Sequence, residues 1–325
     1  MANFPDKARR RSVLARLAGL CALVLLVVTT VSAYIRLSGT GLGCDDWPRC
    51  YGQTATQANG GAAAEPPGTA VARVLHRVAA VVVLVLVVVI AFVCIEARAA
   101  LRVETAIAVA LVALVLFLTV LGRWTTGARL PAVALGNLLG GFAMLALLWW
   151  LRLRASAAGI GPRFGRTVGA NRWARAGIVF LLVQVALGGL VSASHSALAC
   201  VTVPDCQGSW WPPGATFEAL NPWREPSASA AQAGASAEAA LHMTHRALAL
   251  LTGVVGVAAG LHGIRAGGRY RHAGLLLLGL LLAEIVLGAV VVTAGLPLPL
   301  VVTHNVIAAL LLLTLVTLAH RAGSA

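Results

Sequence analysis

Four of the eight histidines in this 325-residue chain stand in or at the edge of long apolar runs: His76, His242, His245 and His304. An ionisable side chain inside a bilayer is expensive to keep, so each is a functional candidate. A neutral imidazole on a membrane helix is a good axial ligand for heme iron. Two of them at the same depth on facing helices hold a heme inside a four-helix bundle. His245 and His304 fit that arrangement, with His242 one turn before His245. His76 needs a partner on the fourth apolar run, where "LPAVALGNLLGGFAML" places Asn137 instead. Arg77 and Arg246 directly follow His76 and His245. Guanidinium groups at that position suit carboxylates such as heme propionates. Histidines that only hydrogen-bond a neighbouring helix would account for one of the four, but account poorly for a recurring His-Arg pair. His262, His272 and His320 sit among arginines at run ends, and His195 falls in a loop.

The cysteines form a second recurring pattern. Cys44 and Cys50 in "RLSGTGLGCDDWPRCYGQ", and Cys200 and Cys206 in "SASHSALACVTVPDCQGSWW", repeat one Cys-x5-Cys spacing, each just after an apolar run. That step lets two Cα atoms come within disulfide range. A metal site would need further ligands, and the loops offer only His195 and a few acids. Two disulfides, Cys44–Cys50 and Cys200–Cys206, are the expectation. Cys21 and Cys94, inside apolar runs, read as ordinary buried thiols.

These residues must be positioned by membrane helices. The chain is 59% apolar and 11% charged, too little charge to coat a soluble domain. Eight runs are long enough to cross a bilayer: about 13–35, 71–95, 103–122, 131–151, 174–193, 241–263, 273–293 and 299–319. The sequence pI near 11.2 does not call for a nucleic-acid partner. With both termini cytoplasmic, 17 of the 25 Lys and Arg fall on inside segments, which is the positive-inside bias. Both cysteine loops then face the outer, oxidising side of a bacterial inner membrane, where disulfides persist.

The expected fold class is all-α integral membrane, with eight transmembrane helices arranged as two parallel-repeat four-helix bundles. Residues 1–155 form the N-terminal half, 156–173 a cytoplasmic linker, and 174–325 the C-terminal half. The second and sixth runs share "VLHRVAAV" and "MTHRALAL"; the fifth and seventh share "QVALGG" and "EIVLGA". An even number of spans per half makes both halves cross in the same sense. Glu284, the one acid well inside a run, reads as a hydrogen bond to a neighbouring helix, matching Gln184.

Taken together, "YIRLSGTGLGCDDWPRCYGQ", "LHR", "LGRWT", "LPAVALGNLLGGFAMLALL", "GGLVSASHSALACVTVPDCQGSWWP", "HMTHR" and "THN" make the chain resemble the heme A synthase family over nearly its whole length. The resemblance implies a membrane oxidoreductase that converts a ring methyl of heme O to a formyl group for terminal oxidase biogenesis. It implies heme b in the C-terminal half and the heme O substrate in the N-terminal half. It also implies as partners a heme O synthase, oxidase assembly proteins and a quinone or other electron carrier. On this pattern His245 and His304 are iron ligands with His242, Arg77, Arg246 and Asn137 around the hemes, and His76 is the ligand on the substrate side. The family carries a catalytic glutamate three residues before its first histidine, and a histidine at the start of the fourth span. This chain has Arg73 and Asn137 there. Arg73 and His76 are accordingly the catalytic candidates.

Two other classes compete. A non-catalytic heme-binding assembly or electron-transfer protein would keep the C-terminal site and lose the substrate site. A transporter would break spans with Pro or Gly near the midplane, whereas Pro131, Pro297 and Pro299 all lie at span ends.

Overall fold

The computed structural model describes residues 4–39, 68–99, 101–124, 130–156, 168–226 and 235–323. Among these residues there are eight α-helices and no strand: α1 (Phe4–Gly39), α2 (Thr69–Glu96), α3 (Arg102–Trp124), α4 (Pro131–Ser156), α5 (Val168–Ala193), α6 (Ser236–Ala266), α7 (Gly268–Thr293) and α8 (Leu298–Gly323). All eight are long and apolar enough to cross a membrane. α2 shows what dictates the helical form. Its "VAAVVVLVLVVV" run is β-branched and would favour strand in water. In a lipid phase every backbone polar group must be paired within the segment, and a helix does this.

Helix ends follow local chemistry. Pro131 opens α4, where a missing N–H costs nothing. Gly267, at φ 72°, separates α6 from α7. The α7–α8 connection turns through Gly295 and Leu296, both left-handed. Leu296 holds that conformation while buried against Ala33, Leu37 and Val291.

α1 packs on α2 and α4, and α3 on α2 and α4; α5 packs on α6 and α8, and α7 on α6 and α8. Each set of four therefore closes on itself. α4 and α1 meet α8, and α4 meets α5, joining the two sets. One apolar core runs through both, with Leu14, Leu145, Leu148, Leu151, Leu312 and Leu318 fully enclosed. Trp149 Nε1 donates to Thr317 Oγ1 at 2.8 Å across the α4–α8 contact. At one end of α6 and α7 the backbones nearly touch: a Cβ at Gly274 would lie 2.5 Å from the Gly260 carbonyl oxygen. Such small-residue contacts let membrane helices approach closely.

The end carrying α1's first turns is charged. Glu104 is 3% exposed and lies 3.6 Å from both Arg11 and Arg154, tying α3 to α1 and α4. Arg10 reaches Glu96 at 3.2 Å. At the opposite end, residues 194–226 form a folded loop containing short 3-10 turns at Ser196–Leu198 and Glu218–Leu220. It exposes Trp210, Trp211, Phe217 and Trp223, side chains of the kind that gather at a membrane–water interface.

Candidate functional site

The even-numbered helices place the candidates, and their inward faces can be read from burial. On α2 the buried row Ala72, Ala79, Val83, Val87, Ile90 and Cys94 has the three- and four-residue steps of one helix face, and half-buried His76 completes it. On α4 the row Gly141, Met144, Leu148, Leu151 and Ala155 extends one turn back to Asn137. On α8 Ala308, Leu311, Leu315 and Leu318 extend one turn back to His304. On α6 Thr252, Gly256, Ala259 and Gly263 extend two turns back to His245, and His242 lies one turn further. His76, Asn137, His245 and His304 thus stand near the loop-bearing start of their helices, in line with the inward rows. Arg73, one turn before His76, and Arg77, off the row, are both exposed.

His245 and His304 are each met by a polar side chain from a neighbouring helix. Gln184 Nε2 of α5 lies 3.1 Å from His245 Nδ1 and 3.3 Å from its Nε2. Glu284 Oε2 of α7 lies 3.4 Å from His304 Nδ1, a close approach without hydrogen-bond geometry, since both atoms are buried and unpartnered. The neighbouring helix expected to face Glu284 is therefore α8, through His304. A glycine faces each ring: a Cβ at Gly188 would sit 2.9 Å from His245 Cε1, and one at Gly288 would sit 3.3 Å from His304 Cε1. His242 is 4% exposed, and its Nδ1 has no hydrogen-bond partner.

Arg246 is engaged by the loop. Its Nη1 donates to the carbonyls of Thr202 at 2.7 Å and Asp205 at 2.8 Å, and its Nη2 to that of Cys200 at 2.8 Å. The guanidinium clamps the cysteine loop. Cys200 and Cys206 are disulfide-bonded, with Cα atoms 4.8 Å apart, inside the usual range. Cys44 and Cys50 lie outside the described residues. Cys21 and Cys94 are free and buried. His195 heads the loop in a left-handed conformation, φ 57°, and burial pushes its imidazole below its ordinary pKa. Arg36 of α1 donates to Ser192 Oγ of α5, joining the two sets of helices at this end.

Sequence reasoning noted "QVALGG" and "EIVLGA" as a recurrence without assigning them to the histidines. The four-residue step from Gln184 to Gly188, and from Glu284 to Gly288, was the available signal. It puts both members on one helix face.

The COX15-CtaA family, described as cytochrome oxidase assembly protein, matches residues 15–316. The chain belongs to that family. A heme A synthase of Shewanella oneidensis is 33% identical over 306 residues, covering 90% of this chain and 92% of that protein. A heme A synthase of Methylobacterium radiotolerans is 32% identical over 149 residues, 44% of this chain and 37% of that one. Family membership and eight apolar helices together make the chain a multi-pass membrane protein.

Proposed function

We propose that the chain is a heme A synthase-type oxidoreductase, taking heme O as substrate and oxidising its ring methyl to a formyl group. The observation that carries this is the near full-length similarity to a protein of that name, joined to His245 and His304 on the inward rows of two helices within one closed set of four.

The residues present fit a resident heme b. Two imidazoles on separate helices are a donor set that would hold a heme. Gly188 and Gly288 leave the rings unobstructed on the faces a Cβ would crowd. Buried polar atoms without partners cluster there, namely Gln184 Oε1, Glu284 Oε2, His242 Nδ1 and His304 Nδ1. Bound there, heme b supplies reversible one-electron iron chemistry. Around it, Arg246 holds the disulfide-closed loop against the outer end of α6, and the surrounding apolar rows keep water from the histidines.

On the substrate side His76 is the iron ligand and Asn137 stands where a second would be. An amide is a poor iron ligand, so one face of the substrate's iron stays open, and the substrate can depart as product. The methyl-to-formyl change takes its oxygen atom from water and releases four protons and four electrons, and those electrons leave to an acceptor of the quinone class or another carrier. The orientation that suits this reading puts both termini in the cytoplasm of a bacterial cell. The charged end with Arg10, Arg11, Arg154 and Glu104 is then inside, and the disulfide loop outside. The two closed sets of helices are read as parallel repeats, one per heme.

A second reading is favoured by one observation. Arg73, one turn before His76 where the family has a catalytic glutamate, is a cation and is exposed. A heme-binding assembly protein without the oxidation step would tolerate that. Co-expression with a heme O synthase, followed by pigment extraction, tests the choice. Heme A appearing only with this chain supports the synthase. Heme O persisting unchanged, with heme b bound, overturns it in favour of the assembly protein.

A further inference from the structure

The contacts at His245 and His304 repeat one construction. Gln184 with Gly188 on α5, and Glu284 with Gly288 on α7, are each a polar residue followed one turn later by glycine. A four-residue step puts both on the same face. On α5 that face meets His245, with the amide nitrogen 3.1 Å from Nδ1 and 3.3 Å from Nε2, so that a small turn of the ring about its bond leaves Nδ1 alone on the amide, and the would-be Cβ lies at 2.9 Å. On α7 it meets His304, with the carboxyl at 3.4 Å and the would-be Cβ at 3.3 Å. Both polar side chains end in a buried oxygen without a hydrogen-bond partner, Gln184 Oε1 and Glu284 Oε2. A single stray contact would be helix packing. Two copies of the same element, one on each imidazole, are a device.

We propose that Gln184 and Glu284 are the positioning residues of the two axial imidazoles. Each accepts the Nδ1–H of its histidine, and this fixes the tautomer and rotation of the ring so that Nε2 faces the iron. The proposal rests on His245 and His304 being the heme ligands. An imidazole bound to iron through Nε2 carries its proton on Nδ1. In an apolar helix interior that N–H needs an acceptor, as ligating histidines generally have. Gln184 meets the need by a half-turn of its amide, which brings Oε1 to where Nε2 now faces the ring. Glu284 Oε2 already lies within a few tenths of an ångström of hydrogen-bonding distance to His304 Nδ1, given the usual ~2.9 Å. The glycines complete the device, because a methyl at either position would push the ring out of the orientation the acceptor fixes.

The test uses purified heme-loaded protein with two readouts: the g values of the ferric low-spin heme, which report the imidazole planes, and the half-life of heme retention after adding apomyoglobin. Gln184→Leu and Glu284→Leu remove the acceptor at similar volume. They are expected to shift the g values and shorten retention roughly tenfold, the lower end of the usual effect of losing such a partner. Gln184→Glu and Glu284→Gln keep an oxygen acceptor and are expected to keep both readouts near the original. Should a leucine variant fail to accumulate, Gln184→Asn and Glu284→Asp withdraw the acceptor by one methylene and are expected to shift the g values likewise. Unchanged g values and retention in the leucine or shortened variants overturn the positioning role. His245→Ala is run alongside. Its loss of the low-spin signal leaves the ligand assignment standing whatever the positioning result. An unaltered spectrum in His245→Ala overturns both.

Discussion

Arg246 Nη2 donates to the Cys200 carbonyl at 2.8 Å, spanning 46 residues of chain. The residue beside His245 is thereby tied to the disulfide loop, and Nη1 adds the carbonyls of Thr202 and Asp205. One planar fork satisfying three backbone acceptors is work for which lysine has no matching geometry.

Arg246→Ala is therefore expected to free the loop. Hydrogen bonds to a charged donor contribute about 1.5–3 kcal/mol each, so losing three raises local opening by well over tenfold. Limited proteolysis within residues 200–206 checks this. Arg246→Lys should recover only part of the protection.

The bond between Cys200 and Cys206 closes a short loop, so its contribution is modest, on the order of 2–3 kcal/mol by chain entropy. Cys200→Ser with Cys206→Ser should lower the thermal midpoint in detergent without unfolding the helices. Native, unreduced protein should show no alkylation at either position; free labelling there would contradict the bond.

Gly188→Ala should disturb His245, because the added methyl meets Cε1 at 2.9 Å. Gly279→Ala is the control: it lies on α7 with nothing within 4 Å of the new Cβ. Its effect should be neutral or stabilising by roughly 0.5–1 kcal/mol, as for alanine replacing glycine in a helix. Heme content of the two variants, measured side by side, separates them.

Glu104→Ala leaves Arg11 and Arg154 facing each other at the charged end without the carboxylate between them. Breaking a buried pair costs about 3–5 kcal/mol. The arginines retain 23% and 31% exposure, so solvent screening reduces this to about 1–3 kcal/mol. Thermal unfolding in detergent at low and high salt measures it, and the loss should be smaller at high salt.

Asn137→His supplies an imidazole on α4, one turn before buried Gly141. It should raise heme occupancy of the N-terminal set and add a second low-spin signal, while slowing product release. Heme content per chain and the low-spin spectrum report both effects. Two firmly bound low-spin hemes in the unaltered protein would contradict the single-ligand substrate site.

The eight helices were legible because continuous apolar runs have few alternative fates, but their ends were not. α6 begins at Ser236 rather than near residue 241. The sequence "SAEA" looks too polar for a span, yet Glu238 is 4% exposed and lies 3.5 Å from Arg224. α1 begins at Phe4, since its basic first turns stay helical beyond the apolar stretch. His245 and His304 stood out because intramembrane imidazoles are rare. What faces them was hidden, because helix rotation decides which neighbour meets Gln184 or Glu284, and single-helix periodicity says nothing about a neighbour's phase. The hold of Arg246 on the loop carbonyls was hidden for a simpler reason: a guanidinium suits a carboxylate and a row of carbonyls equally well.

The near-touching backbones at Gly260 and Gly274 fix the angle at which α6 and α7 cross. They lie at the end away from the histidines, and fifteen residues of helix between Gly260 and His245 give a lever of about 22 Å. A tilt of about 10° around that pinned end moves the free ends apart by roughly 4 Å. An added methyl at Gly274 would therefore act most strongly far from where it is placed, toward the ends of the two helices that carry His245 and Glu284.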